Sequence, residues 1–328
     1  MKVTIYSIKA FERKYLEVAN AGKHELVFFE QPLSKQTISL ADGSEAICLF
    51  TNDDACPENL YELGKLGVKF IATRATGYDN ISVSHAQALG MQVAHVKSYS
   101  PYAIAEHAVA LMLALNRKLL LADKQVKENN FLLDNLIGFD FNGKKIGILG
   151  CGKIGSVVAK IMHGFGCEIL VHDQVENQDL IAQYNVQYCT LEQLIKTVDI
   201  ISIHIPLNSV TKYLFNKELI QKLKPGVMLI NTGRGGVLDT KAAIEGVENG
   251  QIGYLGLDVY ENEKGMFFFD HSKDQTKDPI FAKLLSLENV IVTGHQAFLT
   301  ETALQNIADS TIYNLDCFQD NVLSSNIL

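Results

Sequence analysis

Apolar residues in this chain fall into short unbroken runs, and between the runs they recur every three or four positions. The first pattern is that of strands buried on both faces, and the second that of helices laid on them. The pattern predicts strands at 3–7, 25–29, 46–50, 69–73 and 92–96, with helices near 11–19, 57–66 and 82–89. It predicts further strands at 199–205, 226–231, 254–259 and 289–293, and a last helix from 299 onward. Strands alternating with helices imply parallel sheets. Between the two sets lies a long apolar helix, with Ser100 as its cap and Pro101 at the first position, where the missing N–H costs nothing. It is apolar on most sides (Ile104, Val109, Leu111, Met112, Leu113, Leu115), so it is expected between layers, bridging domains and joining a subunit contact.

The second set is organised around Lys144 to Asp173. An apolar run (Ile146, Ile148, Leu149) leads into Gly150, Gly152 and Gly155, spaced GxGxxG, and then into helical spacing and a second strand ending at Asp173. Gly150 permits the tight turn, Gly152 lets backbone approach a pyrophosphate, and Gly155 lets helix lie on strand. The helix start offers free N–H groups to phosphate. Asp173 is placed to accept from a ribose diol. Gln174 and Val175 follow it, with no adjacent Arg or Lys for a 2′-phosphate, so NAD is expected rather than NADP. A bare GxGxxG arises by chance in a chain with 24 glycines, and its purely structural reading is a tight turn. The strand before, the helix after and the terminal acid argue for a dinucleotide.

A chain of 328 residues exceeds what one core ordinarily supports, so two domains are expected. The formal net charge of −8 argues against a nucleic-acid or anionic membrane surface. Six cysteines without a CxxC pair suit a reduced, cytoplasmic protein. The N-terminus does not read as a signal peptide. The apolar stretch 103–121 is interrupted by Glu106, His107, Asn116, Arg117 and Lys118, as in a buried helix rather than a membrane span. The histidines show no metal spacing, so no metal is expected.

The late strands end in chemistry. The strand at 226–231 runs into Thr232-Gly233-Arg234, that at 254–259 toward Glu261-Asn262-Glu263, and that at 289–293 into Gly294-His295. Ligands of open α/β sheets bind beyond such carboxyl ends. Singly, each has an ordinary explanation: a satisfied histidine, an arginine bonding loop carbonyls, a solvated acid with Glu261 competing for the role. Together, beside a nicotinamide motif, they suit hydride exchange between a 2-hydroxy acid and its 2-keto acid. Arg234 is the two-pronged carboxylate donor. His295 is the acid/base at C2, worth about 10²–10⁴ in rate. Glu263 orients the imidazole and favours its charged form.

The segments RATGYDNI (74–81), YSPYAIAEHA (99–108), GCGKIG (150–155), NTGRGGVLD (231–239), LDVYENE (257–263) and TGHQAFLT (293–300) resemble those of the D-isomer-specific 2-hydroxyacid dehydrogenases, in particular their bacterial fermentative D-lactate-forming members. The resemblance spans essentially the whole chain. It implies two doubly wound parallel-sheet domains with a cleft between them. A Rossmann-type NAD domain (100–298) would be inserted into a flavodoxin-like substrate domain (1–99 plus 299–328). It also implies substrate contacts at Thr76, Gly77, Tyr99 and Phe298, and a cytoplasmic homodimer or homotetramer. Cofactor contacts are implied at Gly150, Gly152, Lys153, Ile154, Gly155, Asp173, Ile205, Pro206, Thr211, Thr232, Gly233 and Asp258. Cys151 departs from the commoner threonine or leucine-like residue of the glycine loop. The run Phe267-Phe268-Phe269 reads as a surface excursion packing on its own domain, or as cover for a subunit contact.

Pyruvate reduction to D-lactate is the leading expectation. A bulkier 2-keto acid is the alternative, and an NAD(H)-sensing, corepressor-like binding protein is a third reading of a different class. His107 is expected at an interface, and His204 beside Ile205-Pro206 along the cofactor.

Overall fold

A computed structural model describes residues 1–273 and 278–328. The chain divides into two compact units, Met1–Ser100 with Leu299–Leu328, and Pro101–Phe298.

The first unit is a parallel five-stranded sheet, β1 (Lys2–Ile5), β2 (Glu25–Phe28), β3 (Ala46–Leu49), β4 (Phe70–Thr73) and β5 (Gln92–Ala94), in the order β2-β1-β3-β4-β5. Ile47 and Ile71 enter one core layer, while Val3, Ile5, Cys48 and Ala72 enter the other. Alternate residues of each strand thus serve opposite layers, which is why the strands read as unbroken apolar runs. The helix Glu301–Gln319 covers the second layer through Ala308, Ile312 and Leu315. Beyond the strand ends, Arg74 is 1% exposed. It donates from Nε to Glu12 Oε2 and from Nη2 to Glu12 Oε1, both at 3.0 Å, and to the Tyr6 carbonyl at 3.0 Å.

The second unit is a seven-stranded parallel sheet, β6 (Lys145–Leu149), β7 (Glu168–His172), β8 (Gln187–Tyr188), β9 (Ile200–Ile203), β10 (Val227–Asn231), β11 (Ile252–Leu257) and β12 (Val290–Val292). Its order is β12-β11-β10-β9-β6-β7-β8. Strand order reverses at β6, so the crevice at its carboxyl end is the switch point where such sheets take ligands. The long apolar helix is Pro101–Asn116 and lies on β11 where Gly256 leaves room, since a Cβ there would meet Ile230 and Leu115 side chains. The apolar stretch 103–121 is not one helix. The chain turns at Lys118, in left-handed conformation (φ 48°), and a second helix runs Leu119–Lys127. Asn116 marks the break: its side chain donates to the Phe139 carbonyl at 2.7 Å and accepts the Phe139 N–H at 2.8 Å.

Candidate active site

The glycine turn follows β6, and its parts meet as the spacing requires. Gly150 has φ +85°, and a Cβ on it would lie 2.7 Å from the His204 carbonyl oxygen. A Cβ on Gly155 would collide with the Gly150 carbonyl, whereas one at Gly152 would meet nothing within 4 Å. Close packing therefore explains two glycines, and open space in front of the third fits a ligand. Behind it starts the helix Lys153–Gly164. Asp173 follows β7 directly and reaches back, Oδ2 accepting the Cys151 N–H at 2.5 Å and Oδ1 the Gln174 N–H at 2.6 Å. A cavity of about 520 Å³ is lined by Cys151, Gly152, Asp173 and residues 175–179. On the facing turn Thr211 Oγ1 donates to the Pro206 carbonyl at 2.6 Å, bracing the loop that carries Ile205 and Pro206. Thr232 is 6% exposed, and its hydroxyl has no partner among the described residues, an orphaned polar atom awaiting one. A dinucleotide fits these features. His204 bonds Ser202 Oγ through Nε2 at 2.8 Å, and burial pushes its imidazole down to about 4, leaving it neutral near pH 7.

Arg234, Glu263 and His295 follow β10, β11 and β12, three neighbouring strands. Asn231 shapes the first turn: Oδ1 accepts the Gly233 N–H and Nδ2 donates to the Arg234 carbonyl, both at 3.0 Å. One guanidinium nitrogen of Arg234 donates to the Gly233 carbonyl at 3.0 Å. The next residue, Gly235, admits no side chain, because a Cβ would strike the Tyr260 carbonyl and the Glu261 nitrogen. That contact seats the arginine loop on the glutamate loop. Of the two competing acids, Glu261 is occupied elsewhere, accepting the Thr240 N–H at 3.0 Å and the Tyr213 hydroxyl at 2.7 Å. Glu263 Oε1 lies 2.8 Å from His295 Nδ1, and Oε2 accepts the Tyr260 N–H at 3.1 Å. His295 holds a left-handed backbone (φ 55°), a conformation that costs a side-chain-bearing residue energy and recurs at functional sites. Among the described residues its Nε2 has no hydrogen-bond partner.

Asp258 is fully buried, and its carboxylate fastens the histidine loop. Oδ1 accepts from Thr293 Oγ1 at 2.6 Å and from the Gln296 N–H at 2.9 Å, and Oδ2 accepts the Ala297 N–H at 2.8 Å. His107, on the long helix, joins through Nε2, 3.0 Å from Thr293 Oγ1 and 3.4 Å from Asp258 Oδ1. The sequence expectation placed Asp258 on the cofactor and His107 at an interface. The loop-anchoring part of both was missed, because the bonds run between positions far apart along the chain. Phe298 is buried in the same unit. In the first unit, Thr76 Oγ1 donates to the Val96 carbonyl at 2.7 Å, and the Tyr99 carbonyl accepts from Asn306 Nδ2 at 2.6 Å. The described residues contain no group of three or more metal-ligating side chains, and no helix among them is long and apolar enough to cross a membrane.

The model of the D-isomer specific 2-hydroxyacid dehydrogenase NAD-binding domain matches residues 109–297. This chain belongs to the D-isomer specific 2-hydroxyacid dehydrogenases. A D-lactate dehydrogenase of Escherichia coli (strain K12) is 42% identical over 316 residues, 96% of each chain. A 2-hydroxyacid dehydrogenase homolog of Haemophilus influenzae is 43% identical over 329 residues, 100% of this chain and 99% of that one. The apo-structure of D-lactate dehydrogenase from Escherichia coli matches with a TM-score of 0.90 at 39% identity, covering all of both chains. As a D-isomer specific 2-hydroxyacid dehydrogenase the protein is an oxidoreductase with an NAD-binding domain, and the fold class and cofactor expected from its motifs are borne out.

Proposed function

We propose that this enzyme reduces pyruvate to D-lactate, reversibly, with NADH. The observation that carries the reading is the Glu263–His295 pair, 2.8 Å apart, with the far nitrogen of the imidazole left for a reacting oxygen. Arg234 takes the substrate carboxylate in a two-pronged contact that also orients C2. His295, protonated, donates from Nε2 to the C2 oxygen as negative charge builds there, and receives that proton back in lactate oxidation. Glu263 at Nδ1 stabilises the imidazolium and fixes the ring, with its own second oxygen steadied by the Tyr260 N–H. The cofactor supplies the hydride when bound. We assign its hold to Gly150, Gly152, Lys153, Ile154 and Gly155 at the phosphates, Asp173 at the ribose, and Ile205, Pro206, Thr211, Thr232 and Gly233 along the remaining length. Asp258 shapes the wall they share. Thr76, Gly77, Tyr99 and Phe298 complete the substrate contacts.

The proposal extends to a cytoplasmic, fermentative homodimer or homotetramer. Support for the assembly comes from apolar side chains clustered in one stretch: Leu120 is 64% exposed, Phe131 69%, Leu133 72% and Ile137 75%. Exposed apolar surface of that density marks a protein contact, and a monomer in sedimentation at micromolar concentration would remove this part. The activity is tested by NADH consumption with a panel of 2-keto acids, on the native enzyme and on His295→Ala. Pyruvate should be turned over to the D-isomer, and His295→Ala should lose about 10²–10⁴ in rate while binding NADH. Intact NADH binding without turnover of any keto acid in the native protein would overturn the reading in favour of an NAD(H) sensor.

A further inference from the structure

The run Phe267-Phe268-Phe269 takes no part in the mechanism above, and it packs on its own unit, as one of the two expectations had it. The three rings diverge. Phe267 is buried, 5.9 Å from the Phe281 ring centre, and Phe281 in turn lies 4.9 Å from Tyr260, so this ring roots the loop. The N–H groups of Met266 and Phe267 both donate to the Glu263 carbonyl, at 2.9 and 3.0 Å, which ties the loop to the residue that holds the imidazole. Phe269 is 42% exposed. Phe268 lies against His295, ring centres 5.7 Å apart and planes inclined by 38°.

We infer that Phe268 is a positioning residue for proton transfer. It backs the imidazole that Glu263 grips at Nδ1, so that Nε2 has one direction in which to donate. The inference rests on His295 being the proton donor. Three observations converge on it. The aromatic ring lies 5.7 Å from a ring that must carry positive charge in the step, within the distance at which aromatic rings attract cations, about 6 Å. An apolar ring there also keeps water from competing for the Glu263–His295 bond. Finally, Phe268 adopts φ 68°, a backbone that glycine takes freely and a phenylalanine takes only when its surroundings impose it. The backbone at 268 would be satisfied by glycine, so what phenylalanine adds is the ring. A left-handed residue on each side, Phe268 and His295, brings the two ring centres to 5.7 Å, tilted by 38°.

The test compares the native enzyme with Phe268→Leu, Phe268→Tyr, Phe268→Gly and His295→Gln. It reads kcat and KM for pyruvate, NADH affinity by fluorescence, and the thermal midpoint. Phe268→Leu keeps apolar bulk and loses the π face. It should lower kcat about tenfold with NADH affinity unchanged, and Phe268→Tyr should recover kcat to within about threefold of native. Phe268→Gly should keep a folded, NADH-binding protein and lose kcat at least as much as the leucine variant. A native kcat in Phe268→Leu, or a loss that tyrosine does not recover, overturns the inference while leaving the parent reading intact, provided His295→Gln is inactive. An active His295→Gln removes the parent reading and this one with it.

Discussion

Replacing Glu263 by glutamine changes one atom and removes one charge at the group that grips the imidazole. The carboxylate accepts at both oxygens, from His295 at 2.8 Å and from the Tyr260 N–H at 3.1 Å. An amide has one acceptor and one donor. If its oxygen faces the imidazole, its NH₂ meets the Tyr260 N–H donor to donor. If it flips, the NH₂ points at Nδ1, which must then be unprotonated, and the imidazolium cannot form. Two unit charges about 4 Å apart attract by about 4 kcal/mol at an effective dielectric of 20. Both side chains are partly open, 15% for His295 and 21% for Glu263, and a neutral hydrogen bond replaces some of the loss. About 2–3 kcal/mol remains. At about 1.4 kcal/mol per decade this is about 30–150-fold in kcat for pyruvate reduction. The assay is NADH absorbance at saturating pyruvate, with the thermal midpoint as control. A kcat for Glu263→Gln within about threefold of the native value would refute the role given to Glu263.

Arg234→Lys should leave the thermal midpoint in place, because Asn231 bonds the backbone of that turn rather than the guanidinium, and should cut kcat/KM for pyruvate about 10²-fold, since an ammonium cannot make a two-pronged contact. Near-native kcat/KM would refute the carboxylate role. His204 predicts a pH dependence of stability. Its folded-state value, about 4, lies below the ordinary 6.5, so its contribution is complete above 6.5 and is lost as pH falls toward 4. The full shift corresponds to about 3 kcal/mol, and since the residue keeps some solvent contact we expect about 1–2 kcal/mol. Urea unfolding at pH 7 and pH 4.5 should show a smaller acid loss in His204→Gln than in the native protein, and equal losses would exclude His204 as a source of the acid sensitivity.

How far the chain could be read in advance depended on the distance over which each feature is determined. The strands were legible because both faces of each sheet are buried, which makes every strand an apolar run. The glycine turn was legible because its requirements are met within a few residues. That the arginine, glutamate and histidine loops are neighbours followed from β10, β11 and β12 being laid down side by side in chain order. Glu263 was named from the sequence with Glu261 as competitor, but what separates the two was not legible, because Tyr213 and Thr240 occupy Glu261 from another part of the sequence. Nor was the ring at position 268, whose partner lies on a different strand's loop.

The same physics explains why two sheets of one architecture differ so much in what they can hold. In the second unit the turn after β6 is glycine, and the start of the helix behind it faces open space at Gly152. In the first unit the turn after β1 carries Tyr6, Ser7 and Ile8, all buried, and the helix behind it, Ala10–Asn20, has its own carboxylate at its start. Glu12 Oε1 accepts the Lys9 N–H at 3.1 Å and both its oxygens meet Arg74, whose guanidinium also bonds the Tyr6 and Ser7 carbonyls. An anion arriving there would find the helix N-terminus already satisfied by one carboxylate and the nearest cation already neutralised by it. The crevice of the first sheet is thus filled by an internal ion pair at the position where the second leaves room for a dinucleotide, and opening it would require breaking a buried pair at a cost of about 3–5 kcal/mol.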